Sequence, residues 1–428
     1  MMDTVMLGGL GEVAISAAAL ANQPFFIFML FTFGVAGGIG VLICQYWGKK
    51  DIDTINSVVG IALTLSLAIS FLFTAAAAIF PEQILTIFTK DPDVIRHGAE
   101  YLRIVGFSYP VYSITTTFSN ALRNVEKVKI PVTINACALV VNTFFNWCLI
   151  GGELGFPRLE VAGAAWATLI SRVLECIAVL LYVFLGEKAV RFKIRKMFRF
   201  NRLLFADFLR YSLPVVFNES LWGIGTSVHA GIMGHIGAEA TAAFNVADIV
   251  QRLALASCFG LSAAALTFVG KELGQGNLER AKKTASTILI FALLFGLAGS
   301  GLILFLRPYV LMIFNLAPST IEISYQIMFV MALLLAIKSF NSPIIVGILR
   351  AGGDTRFSLL IDVGVLWGVT IPLGAVVGLV LHAPVPVVYF CLMSDEFIKF
   401  GLGLWRFKSG RWIRNITRDF DSGQEAIE

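Results

Sequence analysis

Apolar runs of about twenty residues follow one another along this whole chain, each long enough to cross a bilayer as a helix. A backbone inside hydrocarbon has to satisfy its own hydrogen bonds, which confines such runs to helices packed on helices. Of the 428 residues, 57% are hydrophobic and 14% charged, and the mean hydropathy is +0.81. A water-soluble protein of this size carries roughly 25% charged residues. The sequence therefore describes an all-α polytopic membrane protein with no stretch left for a soluble domain. Its 39 glycines suit close helix packing.

The second constraint is an internal repeat. Moved forward by 226 positions, Leu7–Gly48 lies without a gap on Met233–Gly274. Gly8 falls on Gly234, Gly11 on Gly237, Ala14 on Ala240, Ala17 on Ala243, Ala21 on Ala247 and Gly48 on Gly274. Small residues are shared while bulky apolar ones drift, as two copies of one backbone path would require. A second echo joins Ala121-Leu122-Arg123-Asn124-Val125-Glu126-Lys127 to Ile348-Leu349-Arg350-Ala351-Gly352-Gly353-Asp354-Thr355. There Gly352-Gly353 is expected to end a helix and Asp354 to cap the next. Internal repeats of this kind build many transporters.

Helices are expected over about 18–46, 55–80, 97–122, 129–151 and 161–185, then 207–232, 241–270, 281–306, 323–350, 356–380 and 385–407, eleven full spans plus an opening fragment. The repeat divides them into an N-lobe (1–186), a basic connector (187–206), a C-lobe (207–408) and a polar tail (409–428). Six helices per lobe is an even number, so the two six-helix lobes are related by a pseudo-two-fold along the membrane normal. The same offset would place a counterpart of Glu219 ahead of Met1, so the N-lobe is expected to carry only a remnant of its first helix. One set of alternate loops holds 24 of the 33 Lys and Arg residues, among them the connector and the tail. That set is expected on the cytoplasmic side of the plasma membrane, with the C-terminus inside. The connector interleaves those cations with Val190, Phe192, Ile194, Met197, Phe198 and Leu203. It is expected to lie on the inner leaflet, each cation contributing about 1 kcal/mol against anionic lipid.

Ionisable and amide groups inside such helices are costly and mark function by default. Glu219 lies mid-helix, five residues after Pro214, which frees a carbonyl one turn earlier. A carboxylate there can take up a proton or a sodium ion, or simply stay protonated against a neighbouring helix. Asp3 is the matching group of the first half, or else a solvated terminal residue. Asn142 and Asn146 present amides on one helical face, suited to Asp3 or to interhelical packing. Asp248–Arg252 and Asp395–Lys399 at i,i+4, and Arg172–Glu175 at i,i+3, are spaced to pair on their own helices. Lys338 and Asp362 have no local partner; they meet across helices, or Lys338 lines a cavity with Asn218 and Asn341.

The six cysteines sit singly within apolar segments and the four histidines, His97, His229, His235 and His382, are scattered. Neither a disulfide framework, nor a zinc site, nor the clustered constellation of a membrane-embedded enzyme is indicated. The net charge of +5 belongs to loop cations and not to a nucleic-acid surface.

The segments Asp3-Thr4-Val5-Met6, Gly8-Gly9-Leu10-Gly11, Gln45-Tyr46-Trp47-Gly48-Lys49, Val161-Ala162-Gly163-Ala164-Ala165-Trp166 and Leu349–Thr355 resemble, in order and spacing, the multidrug and toxic compound extrusion (MATE) family. The resemblance runs over essentially the whole chain. It implies twelve helices in two six-helix lobes around a central cavity, and antiport in which protons or sodium ions drive export of cationic or amphipathic drugs; the chain itself is expected to be a monomer with no cofactor beyond the coupling ion. It also implies that Asp3 and Glu219 stand for the family's first- and seventh-helix carboxylates, and that Asn142 belongs to its N-lobe proton site. Asn146, and Ser339 or its neighbours, fall where other members have aspartates, which leaves the coupling ion open. The alternatives are a lipid-linked precursor flippase of the same superfamily, which would need a cavity rich in Arg and Lys, or a truncated inactive relative.

Overall fold

A computed structural model describes residues 6–7, 11–199, 201–313 and 317–420; among them every regular element is helical. In chain order these are α1 (Glu12–Ala21), α2 (Gln23–Lys49), α3 (Ile52–Ile79), α4 (Pro81–Thr86), α5 (Pro92–Gly106), α6 (Ser108–Asn124), α7 (Lys129–Gly151) and α8 (Glu160–Leu181). They are followed by α9 (Ile194–Met197), α10 (Arg202–Ile236), α11 (Ala238–Gly274), α12 (Leu278–Ile313), α13 (Pro318–Ser342), α14 (Thr355–Leu359), α15 (Val385–Leu392) and α16 (Asp395–Lys408). Helix α13 runs on through a π-turn to Leu349, and α14 continues as alternating π- and α-turns to Val380. Eight of the described helical segments are long and apolar enough to cross a membrane by themselves. The expected span 97–122 is two helices, α5 and α6, abutting at Phe107.

The chain forms two compact units, 1–39 with 52–209 and 40–51 with 210–428. In the first, Leu7, Ala14, Ala18 and Ala21 pack into one core with Phe28, Tyr101, Tyr109, Ile150 and Ala164. In the second, Met233, Ala240, Ala243 and Ala247 pack with Leu255, Ile327, Met331 and Tyr389. Thus the repeat-related positions 7/233, 14/240 and 21/247 are core positions twice over. The alanines are kept because they let backbones approach, whereas the partners that fill each core differ. Both copies open on a glycine with positive φ, +103° at Gly11 and +152° at Gly237, which starts a helix at the residue that follows.

Within the second unit the ends of the two copies meet. A Cβ on Gly48 would strike the carbonyl oxygen of Lys271, and one on Gly274 would strike that of Gln45. A Cβ on Gly270 would strike the side chain of Cys44. At the 226 offset Gln45 corresponds to Lys271 and Cys44 to Gly270, so the first two contacts are symmetry mates of each other and the third is its own. A local two-fold passes between Cys44 and Gly270.

The second echo is also a shared turn. Glu126 (φ +66°) and Gly353 (φ +72°) both leave their helix left-handed, and the next amides, of Lys127 and Asp354, donate back to Leu122 and Leu349 at 2.9 Å. Asp354 sits at the start of α14 without capping it, because its carboxylate is taken by Arg406 Nε at 2.6 Å. The connector is only partly surface-facing. Lys193 N donates to Asn56 Oδ1 (2.8 Å), Lys196 pairs with Asp53, and Val190, Phe192 and Met197 are buried, while Ile194 and Phe198 stay exposed.

Candidate functional site

The polar interior of the second unit begins on α10. Pro214 lies inside the helix and cannot donate to the residue four before it. One turn further, Asn218 and Glu219 point to different partners. Asn218 Nδ2 donates to Asp362 Oδ2 at 2.7 Å, and Glu219 Oε1 lies 2.9 Å from Arg350 Nη2. Arg350 is almost wholly buried and Glu219 is 27% exposed. The Glu219 carboxylate, expected from sequence to take up a proton or sodium ion or to stay protonated against a neighbouring helix, is one half of an ion pair, with a partner from the far end of α13.

Asp362 stands on the π-turn Leu360–Gly364, an irregularity frequent at functional positions. It does not meet Lys338. Lys399 reaches it at 2.7 Å and at the same time reaches Asp395 at 2.7 Å, the i,i+4 pair expected on α16. Lys338 turns instead to Glu396, 3.8 Å away, and to Gln251 Oε1 at 3.4 Å. Asn341 Nδ2 donates to both the Glu396 carbonyl and its Oε2 at 2.8 Å. Ser339, between Lys338 and Asn341, accepts from Cys258 Sγ at 3.1 Å.

Four carboxylates (Glu219, Asp362, Asp395, Glu396) thus face three cations (Arg350, Lys338, Lys399) along these contacts. The charges come from four segments, α10, the two halves of the 318–380 region and α16. Burying unlike charges together costs several kcal/mol per ion before attraction offsets it, so such a network is weak evidence of stability and stronger evidence of a task.

The first unit is different in kind. Asn146 Nδ2 donates to Asn142 Oδ1 at 3.2 Å, which places both amides on one face of α7 as their spacing requires. Asp3 lies outside the described residues. Arg172 does not pair with Glu175: its Nη1 donates to Ser108 Oγ at 2.6 Å and its guanidinium stacks 4.1 Å from the Phe25 ring centre. Glu175 accepts from Asn135 Nδ2 at 3.1 Å. A planar cation gains more from an aromatic face and a hydroxyl than from a carboxylate aimed elsewhere. Asp248–Arg252 pairs as expected, at 2.7 Å and largely exposed.

Glu396 and the pairing role of Arg350 were not singled out in the sequence. The doubled acid Asp395-Glu396 in the run Val387–Phe400 was the available signal for the first. Nothing local signals the second, because its partner is a helix bundle away in sequence.

Comparison with known proteins places the fold. The family model described as MatE matches residues 1–148 and 214–376. A probable multidrug resistance protein NorM of Thermotoga maritima is 28% identical over 427 residues, 98% of this chain and 90% of its own. The probable multidrug resistance protein YoeA of Bacillus subtilis is 25% identical over 373 residues, 86% of this chain and 80% of its own. Among solved structures, MATE in the bent conformation superposes with a TM-score of 0.86 at 19% identity, covering 96% of this chain and 91% of that one. An outward-facing multidrug resistance MATE family transporter of the MOP superfamily gives 0.83 at 17% identity, with coverages of 96% and 91%.

Proposed function

Because this chain belongs to the MatE family of membrane transporters, we infer that it exports small cationic or amphipathic molecules in exchange for an inward-moving proton or sodium ion. The relatives' names as multidrug resistance proteins support the substrate class. The observation that carries the coupling is the buried network of the second unit, whose carboxylates outnumber its cations. A surplus negative charge in a poorly solvated interior calls for one positive charge, from the coupling ion or from the drug. Each ligand favours one access state only by its differential affinity, so alternate occupancy of one charge deficit exchanges them. Glu219 and Asp362 are the central members; Asn218, Asn341 and Lys338 line the network. Asp3, Asn142 and Asn146 form the corresponding candidate set of the first unit. The chain works as a monomer in the plasma membrane, its basic loops and C-terminus on the cytoplasmic side against anionic lipid.

The test is ethidium efflux from proteoliposomes under an imposed proton or sodium gradient. Glu219→Gln is expected to abolish gradient-driven efflux. Because it also strands the Arg350 guanidinium, Glu219→Gln/Arg350→Gln serves as the charge-balanced companion, expected to recover folded yield but not efflux. Full efflux from either variant rules Glu219 out, and a wild-type protein indifferent to both gradients rules out the coupling.

A further inference from the structure

We propose that Glu396, on the last helix, is the residue that takes up and releases the coupling proton; this rests on the export reading above and names the group that performs it. The four carboxylates of the network are unequally matched. Glu219 has Arg350 at 2.9 Å, and Asp362 and Asp395 each have Lys399 at 2.7 Å. Among the described residues the ion pair of Glu396 is with the ammonium of Lys338, 3.8 Å away, although Glu396 is 5% exposed. Its other contact is the neutral amide of Asn341. Glu396 is the carboxylate whose counter-ion is farthest, and a proton there brings the network to three carboxylates against three cations, with Lys399 shared by Asp362 and Asp395 and Lys338 still held by Gln251.

Two further groups point to a hydrogen-bearing ligand. Asn341, 2% exposed, uses its amide nitrogen on Glu396 while its Oδ1 has no hydrogen-bond partner among the described residues. His229, 4% exposed on α10, likewise leaves Nε2 without a partner among them. The Asn341 oxygen is an acceptor on hand for an O–H on Glu396. The charged groups facing Glu396 are Asp395 and Lys399 on its own helix and Lys338 on α13, with Asp362 reached through Lys399 and the neutral Gln251 of α11 through Lys338; His229 on α10 lies in the field of Asp395, Lys338 and Lys399. A sodium ion seated on Glu396 would lie within a few ångströms of the Lys338 ammonium, a like-charge contact in a low-dielectric site. A proton adds no separate centre of charge. In the proposed step the Glu396 carboxylate accepts H⁺ from one side of the membrane, becomes a neutral acid, and returns H⁺ to the other side.

Infrared difference spectroscopy of the whole chain in lipid, titrated through the neutral range, tests this directly. A protonated-carboxyl band is expected in the wild type, absent in Glu396→Gln and shifted in Glu396→Asp, with Glu219→Gln leaving it in place. In proteoliposomes Glu396→Gln should lose more than about tenfold of proton-driven ethidium efflux, with a single cooperative melt in detergent reporting that the variant is folded. A band unchanged in both Glu396 variants, no such band in the wild type, or efflux that follows only a sodium gradient would overturn the assignment. The band is read without transport, so its outcome stands apart from that of the export reading itself.

Discussion

The two units carry the same backbone opening and opposite interiors. At 7/233, 14/240 and 21/247 both bury a small or apolar residue in a core. Around those cores the first unit assembles amides, hydroxyls and one arginine stacked on phenylalanine, whereas the second assembles seven charges held by four segments. Duplication preserves the path of the chain, because glycine and alanine at crossings are enforced by contact with backbone. It does not preserve the chemistry inside, which rests on side chains free to diverge once the path is fixed. The charge network lies in the second unit, and the coupling proposed for this chain is assigned there for that reason.

The largest break in this comparison is Lys399→Met. It leaves Asp362 and Asp395 buried without their shared cation, and about 3–5 kcal/mol of destabilisation is expected as a lowered melting temperature in detergent. Its counterpart in the first unit, Arg172→Met, removes a stacked cation and one hydrogen bond, and about 1–2 kcal/mol is expected. Equal losses from the two substitutions would erase the distinction drawn between the interiors.

Next come the paired glycines. Gly48→Leu and Gly274→Leu each force a side chain into the carbonyl of the equivalent helix, at about 1–3 kcal/mol or more. Because the contact is symmetric, melting should show two similar losses, and the double variant less than their sum. Strongly unequal single effects would contradict the local two-fold. The smallest effect belongs to Arg252→Ala. Its pair with Asp248 is exposed, so a shift below about 0.5 kcal/mol is expected in the same melt.

Much of the fold was legible because membrane helices announce themselves by length and apolarity, and because the repeat is carried by residues that cannot change size. The site was legible only where partners share a helix. Asp395–Lys399 and Asp248–Arg252 follow from a spacing of four residues. Glu219–Arg350 and Asp362–Lys399 join distant segments, and no local pattern encodes which of several buried cations a carboxylate will meet. Arg172 shows the converse: a favourable i,i+3 spacing gave way to an aromatic face on another helix. Asp354 shows it again, a capping position surrendered to Arg406.

The central claim, that coupling runs through the charged interior of the second unit, is tested most directly by cation-driven ethidium efflux in proteoliposomes. Asp362→Asn keeps the hydrogen-bonding shape and removes one charge from the network, and is compared with Asn142→Ala/Asn146→Ala in the first unit. Asp362→Asn is expected to lose gradient-driven efflux by more than about tenfold while the asparagine double variant retains most of it. Loss confined to the asparagine variant, with Asp362→Asn pumping at the wild-type rate, would contradict it.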